Sequence, residues 1–144
     1  AYSQNSETNH YLKRLNVKNI QSIGTMKFIE DDNIKSDKSD KKLFSQFKRY
    51  KTFIAASTHE TEELFAAKTH ILLKKKNKNI ITIIIPRHID RVDEIISQIR
   101  RLGLNVISRD SNKKKLTGID IYIVNTFGES KKFYKFATTV LYGS

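Results

Sequence analysis

The sequence predicts an α/β fold in which a parallel β-sheet carries helices on both faces. Three features predict it. The first is Ile80-Ile81-Thr82-Ile83-Ile84-Ile85, a nearly continuous apolar run rich in β-branched residues, the pattern of a strand buried on both faces. The second is the alternation of strand-like and helix-like segments from residue 42 onward, the order that builds a parallel sheet. The third is that polar chemistry gathers just after strands. Pro86 cannot donate to a sheet ladder and ends the isoleucine strand, and Arg87 and His88 follow at once. In open α/β sheets, ligands bind outside the carboxyl ends of the strands.

Taken in order, residues 5–16 read as a short helix with Tyr11, Leu12 and Leu15 on one side, and Ile20 to Ile23 as a strand closed by Gly24. Residues 30–41 are charged and poor in apolar groups, which predicts a linker. A domain boundary is expected there. Residues 1–29 are then the tail of one domain and residues 42–144 a second, and the chain reads as a piece of a longer protein. Asp40 to Tyr50 suits a helix, with Leu43, Phe44 and Phe47 on one side. Thr52 to Ala56 is a strand. Ser57 to Glu60 is a loop leading into a helix that runs to about Lys76, on which Leu64, Phe65, Ile71 and Leu72 share a face. The lysines at 74–76 and 78 suit a helix C-terminus.

After the isoleucine strand, Asp90 to Leu102 carries Val92, Ile95, Ile96, Ile99 and Leu102 at helical period, with Gly103 placed to end the helix. Leu104 to Ile107 is a strand, Ser111 to Gly118 a basic loop, and Ile119 to Val124 a further strand. Thr126 to Glu129 turns into a helix carrying Phe133, Tyr134, Phe136 and Ala137. Thr139 to Tyr142 is the last strand.

The totals bound the function. The 144 residues suffice for one domain with a real core. The absence of cysteine excludes disulfides, thiolate metal sites and a cysteine nucleophile. No apolar run approaches the length of a membrane span, so this piece is expected to be soluble. The net charge is +12, yet residues 1–33 balance four basic against four acidic groups, so the whole surplus lies in residues 34–144. That field favours anionic partners: nucleotides, phosphorylated lipids, anionic membranes or nucleic acid. A solvated lysine surface accounts for the same count.

Three strand-to-helix loops fall at one edge of the predicted sheet: Ser57-Thr58-His59-Glu60, Pro86-Arg87-His88 and Thr126-Phe127-Gly128-Glu129. Helix N-termini attract anions, a guanidinium fork suits phosphate or carboxylate, and Gly128 permits close backbone approach. Together these are a candidate nucleotide-phosphate site. The spacings Ser57-x-x-Glu60 and Thr126-x-x-Glu129 also match capping boxes, which alone would explain both glutamates. His-x-x-x-His spacing is absent, so no metal is expected. Neither a GxGxxG nor a GxxxxGK[ST] fingerprint is present. Lys113, Lys114 and Lys115 follow a strand and are further candidates for the ligand edge, whereas the lysines at 74–78 belong to the opposite edge.

The same loops carry a resemblance. Phe53-Ile-Ala-Ala-Ser-Thr-His-Glu-Thr-Glu-Glu63 resembles the AASTHxGEE segment of 3-deoxy-D-manno-octulosonic acid (Kdo) transferases. Ile84-Ile-Pro-Arg-His88 with Arg91 resembles that family's PRHxxR segment, and Val124-Asn-Thr-Phe-Gly-Glu129 its DTxGE segment. Leu141-Tyr-Gly-Ser144 is similar to its glycine-rich strand end. Ser3-Gln4-Asn5-Ser6-Glu7 and Gly24-Thr-Met-Lys-Phe28 resemble its QSE and GNLKF segments. The resemblance implies a GT-B glycosyltransferase, whose C-terminal domain is a Rossmann-like parallel sheet. It implies Kdo transfer from CMP-Kdo to a lipid A precursor in lipopolysaccharide biosynthesis, at the cytoplasmic side of the bacterial inner membrane.

On this reading the chain is mainly the CMP-Kdo-binding domain. Arg87, His88, Gly128, Glu129, Ser57, Thr58, His59 and Glu60 match motif positions lining the donor side. The catalytic base is expected outside this chain, no cofactor is implied beyond the donor substrate, and the chain alone is expected to be inactive. Thr61 stands where the family has Gly, Asn125 where it has Asp, and Ile89 where it has Pro. The competing readings are a basic nucleic-acid-binding module and a GT-B domain for another nucleotide sugar. Aromatics lie on apolar helix faces and not among the lysines, which argues against a base-stacking surface.

Overall fold

A computed structural model describes residues 2–3, 21–22 and 38–143. Its elements are β1 (Tyr2–Ser3), β2 (Gln21–Ser22), α1 (Lys38–Phe47), β3 (Lys51–Thr58), α2 (Glu62–Lys76), β4 (Ile80–Pro86), a 3₁₀ turn (Ile89–Arg91), α3 (Val92–Arg101), β5 (Val106–Ser108), β6 (Ile121–Ile123), α4 (Ser130–Tyr134) and β7 (Ala137–Tyr142). One sheet joins the strands in the order β2-β1-β7-β3-β4-β6-β5. β7, β3, β4, β6 and β5 are mutually parallel, while β1 runs antiparallel to β7. The predicted α/β parallel sheet is therefore present, extended at one edge by two short pairings.

β4 lies inside the sheet because its side chains have apolar partners on both faces. Ile81 and Ile83 pack with Leu43, Phe47, Tyr122 and Phe133 under α1 and α4. Ile84 packs with Ala55, Ala66, Ala67, Ile95 and Ile99 under α2 and α3. Each such isoleucine contributes about 1.5–3 kcal/mol relative to exposure. Thr82 is the one polar residue in the run. Its hydroxyl meets His70 Nδ1 of α2 at 2.9 Å, so a buried polar group is satisfied. Edge-to-face contacts of Phe47 with Tyr122 and Phe133, with centroids 5.2 and 5.9 Å apart, hold α1 to the sheet.

Several sequence expectations shift. α1 begins at Lys38, so the last residues of the expected linker are helical. Asp40 is buried there because two cations partner it. β3 runs through Thr58, beyond Ala56, with a register shift at Ser57, and Pro86 still pairs at the end of β4. The buried face of α2 is Glu63, Ala66, Ala67, Thr69 and His70, while Leu64, Phe65, Ile71 and Leu72 are only half-buried. Alanines let this helix approach the sheet closely; Glu63 accepts from Thr58 and His70 meets Thr82 on the strands, while the Thr69 hydroxyl donates within the helix to Phe65 O. The helix expected from Asp90 divides into the 3₁₀ turn and α3, and Gly103 adopts a left-handed φ of 79° after it. The helix after Glu129 ends at Tyr134, and Ala137 already belongs to β7. The helix expected at 5–16, most of the linker, and the segments at 4–7, 24–28 and 144 lie outside the described residues.

Candidate functional site

Two of the three predicted loops meet at the carboxyl edge of the sheet. The first leaves β3 through a kink: Ser57 has a positive φ of 53°, and the pairing resumes at Thr58. The Arg87 N–H donates to Thr58 O at 3.0 Å, locking the second loop beside the first. The half-buried His59 and the exposed His88 lie edge-to-face, with ring centroids 5.9 Å apart. Arg87 is exposed and forms no ion pair among the described residues. The two locked loops thus bring an exposed arginine and two contacting imidazoles to one edge, residue types suited to phosphate or carboxylate.

Beneath this surface is a buried ion pair. Glu63 is 1% exposed. Its Oε1 accepts from the Thr58 hydroxyl at 3.2 Å and lies 3.5 Å from Arg91 Nη1. Arg91 Nε also lies 3.5 Å from Glu94. Glu63 Oε2 and Arg91 Nη2 are both buried without a hydrogen-bond partner among the described residues. A carboxylate on the first turn of α2 suits the positive end of the helix dipole.

The first capping box does not form. Glu60 is exposed, and it is Glu62 whose carboxylate accepts the His59 N–H, at 2.7 Å. The residue before α2 is Thr61, at φ 75° with no side-chain cap bond. A β-branched residue in the left-handed region is strained. Gly143 closes this corner. Its N–H donates to Ala56 O at 2.8 Å, and a Cβ placed there would lie 2.2 Å from Ser57 O.

The third loop leaves β6 at the same edge, with the Val124 N–H donating to Ile84 O at 2.9 Å. Phe127 is 86% exposed, and Gly128 takes φ 72°. Glu129 is turned toward β5, not toward His59 and His88. Arg109 grips its carboxylate with two bonds, Nε to Oε2 at 3.1 Å and Nη2 to Oε1 at 3.0 Å. Lys132 adds a third at 2.9 Å, and the Thr126 hydroxyl donates to Oε2. Hydrogen bonds from Arg109 pull the Glu129 carboxyl down to about 2, against the opposing effect of burial. The second capping box is therefore replaced by a side-chain pair, and no side-chain bond caps α4.

Lys113–Lys115 do not join the first two loops. Gln46 of α1 donates to Lys114 O at 2.8 Å and accepts the Leu116 N–H at 2.9 Å, which holds this segment along α1. Among the described residues no group of three His, Asp or Glu side chains is placed to hold a metal ion, and no helix is long and apolar enough to cross a membrane. Sequence reasoning missed Glu62, Glu63 and Arg109 as site components. Arg109 directly follows the carboxyl end of β5, so the strand-end rule applied there would have found it. Glu63 gives no such signal, since its partners Thr58 and Arg91 are set by the fold.

No protein-family model matches the chain. Curated relatives do. The chain is 29% identical over 129 residues to the 3-deoxy-D-manno-octulosonic acid transferase of Rickettsia felis, and 26% identical over 129 residues to that of Rickettsia prowazekii. Each match covers 90% of this chain and 28% of the relative. Over most of its length the chain is thus similar to proteins named as Kdo transferases. Among solved structures, the C-terminal CMP-Kdo binding domain of WaaA from Acinetobacter baumannii superposes with a TM-score of 0.63 at 19% identity, covering 71% of this chain and 53% of that one. The fold is thus the Rossmann-like sheet of that domain. The chain spans less than a third of the length of the curated Kdo transferases it matches. Thr61, which stands where the resemblance implies a glycine, has a left-handed backbone, φ 75°.

Proposed function

We propose that this chain forms the donor-binding part of a Kdo transferase. The complete protein would transfer Kdo from CMP-Kdo to a lipid A precursor at the cytoplasmic face of the bacterial inner membrane, with the catalytic base supplied outside residues 1–144. The observation that carries the reading is the locked pair of loops at the carboxyl edge. It sets Arg87, His59 and His88 side by side, facing solvent, on a chain related to enzymes of this name. Arg87 and His88 would hold the CMP phosphate and the Kdo carboxylate by charge-assisted hydrogen bonds. Those bonds strengthen as the phosphate leaves and its charge develops. Ser57, Thr58 and Glu60 frame the first loop, and the exposed backbone at Gly128 offers a second approach to the nucleotide.

The test is CMP affinity by calorimetry for the 144-residue chain and its R87Q variant. Loss of one charge-assisted contact predicts binding weaker by about tenfold or more, since such bonds are worth roughly 1.5–3 kcal/mol. Equal affinity for the two proteins contradicts the assignment of Arg87.

A further inference from the structure

Glu129 sits in a motif that invites reading it as a ligand residue. Its surroundings point elsewhere. A carboxylate offers about four acceptor sites, and here four donors fill them. Oε1 takes Arg109 Nη2 and Lys132 Nζ, and Oε2 takes Arg109 Nε and the Thr126 hydroxyl. Little acceptor capacity is left for a ligand hydroxyl. Asp40 completes the arrangement, accepting from Arg109 through Oδ1 and from Lys132 through Oδ2 at 3.3 Å. The two cations and two anions form a closed ring in which each cation touches both anions. The ring is net neutral and mostly buried. The Arg109 guanidinium also lies 5.8 Å from the centroid of the Phe133 ring.

The ring ties α1, the end of β5 and the start of α4 to one point. The Arg109 segment grips the third loop elsewhere as well. The Arg109 N–H donates to Ile123 O at 2.7 Å, and the Asp110 N–H donates to the Asn125 side-chain oxygen at 3.2 Å. Between these anchors and Glu129, only Phe127 and Gly128 stand free at the edge of the sheet. We infer that Arg109 is a positioning residue that sets the Phe127–Gly128 loop through Glu129, and that the Glu129 carboxylate serves this clamp and not the ligand. For its effect on CMP this rests on the donor-binding reading above; for the loop it stands on its own.

The test combines amide hydrogen exchange, the titration of the Glu129 carboxyl by carbon NMR, and CMP affinity, on the 144-residue chain. The variants are R109Q, R109K, E129Q and R109Q/E129Q. Exchange at Ile83 and Ile84 reports whether the core is intact. In R109Q, exchange at Asp110 and Lys132, whose N–H groups donate to Asn125 Oδ1 and Glu129 O, rises about tenfold or more, as for loss of one buried coupled contact, and the Glu129 carboxyl titrates nearer the ordinary range. R109K restores part of both. R109Q and E129Q each weaken CMP binding, and the double variant is no worse than either alone.

Additive losses in the double variant, or loss of CMP binding in E129Q with unchanged exchange at Asp110 and Lys132, overturn the inference by making Glu129 a direct contact. Unchanged exchange and an unchanged carboxyl titration in R109Q overturn it as well. If the wild-type chain binds no CMP, the donor reading fails, and exchange together with the carboxyl titration still decides whether Arg109 positions the loop.

Discussion

Gly143→Ala is a sharp probe of the corner where the first loop meets β7. The Cβ of this alanine would lie 2.2 Å from Ser57 O, 2.5 Å from Glu62 Oε2 and 2.9 Å from Ser57 C. Ordinary contact starts near 3.4 Å, so the backbone oxygen must retreat by about 1 Å. It has little room to do so. Gly143 N is bonded to Ala56 O at 2.8 Å, and Glu62 Oε2 already accepts the His59 N–H at 2.7 Å. Overpacking of this kind costs about 1–3 kcal/mol, and disturbing one of these hydrogen bonds about 1 kcal/mol more. We expect a loss of about 2–4 kcal/mol in urea unfolding. Displacing binding groups by about 1 Å also predicts CMP affinity reduced by about an order of magnitude or more.

Gly118→Ala is the control. Gly118 also has a positive φ, 74°, but nothing lies within 4 Å of its Cβ position. It should cost only the backbone strain, about 1–2 kcal/mol, and leave CMP binding unchanged. If Gly143→Ala matches Gly118→Ala in stability, with amide shifts at Ser57–Glu62 unmoved, the packing described for this corner is wrong.

Other perturbations separate the parts of the account. Thr61→Gly relieves a left-handed threonine; against the entropy cost of glycine, net stabilisation of about 0–1 kcal/mol is expected in urea melts, and clear destabilisation would mean that the Thr61 side chain makes an essential contact. His70 is buried and neutral, its pKa lowered from 6.5 chiefly by desolvation, with Asp120 opposing and Lys74 assisting. The unfolded chain therefore binds this proton first, so stability falls as pH drops below about 6.5 and levels off under the folded pKa. His70→Gln should remove that part of the slope, and an undiminished slope in the variant would exclude His70 as its source. Glu129 acts lower down: depressed from 4.5 to about 2, it stabilises above pH 4.5 and loses that contribution as pH falls toward 2. A carboxyl titration of Glu129 near pH 4.5 in the folded chain would contradict the Arg109 clamp. The chain alone should not turn over CMP-Kdo with a lipid A precursor, and measurable turnover would place a complete active site within it.

The frame was legible because the isoleucine run can be satisfied only between two helical layers, and because Pro86 marks where the strand yields to chemistry. The first two loops followed from the strand-end rule. The covering face of α2 did not, since Leu64, Phe65, Ile71 and Leu72 outweigh Ala66 and Ala67 in any hydrophobic count. What selects the alanine face is close approach to Phe53 and Ala55, together with polar partners that the fold brings to it: Thr82 and Asp120 for His70, and Thr58 and Arg91 for Glu63. Glu129 was legible as a charged loop residue, but its direction was not, because Arg109 reaches it across 20 positions, and Asp40 holds Arg109 across 69, only once the sheet has formed. The capping boxes failed for two reasons: Ser57 belongs to β3 and α2 starts only at Glu62, so Glu60 has no helix end to cap, whereas the Glu129 carboxylate is claimed by the stronger Arg109 and Lys132 partners.

The most direct measurement is a titration of the 144-residue chain with CMP followed by amide NMR, with UMP and duplex DNA as controls at moderate salt. Saturable shifts are expected at His59, Arg87, His88 and Gly128, larger for CMP than for UMP, with Ile83 and Ile84 unmoved. No CMP response at these residues, or salt-sensitive shifts spread over the lysines with DNA alone, would contradict the donor-binding reading.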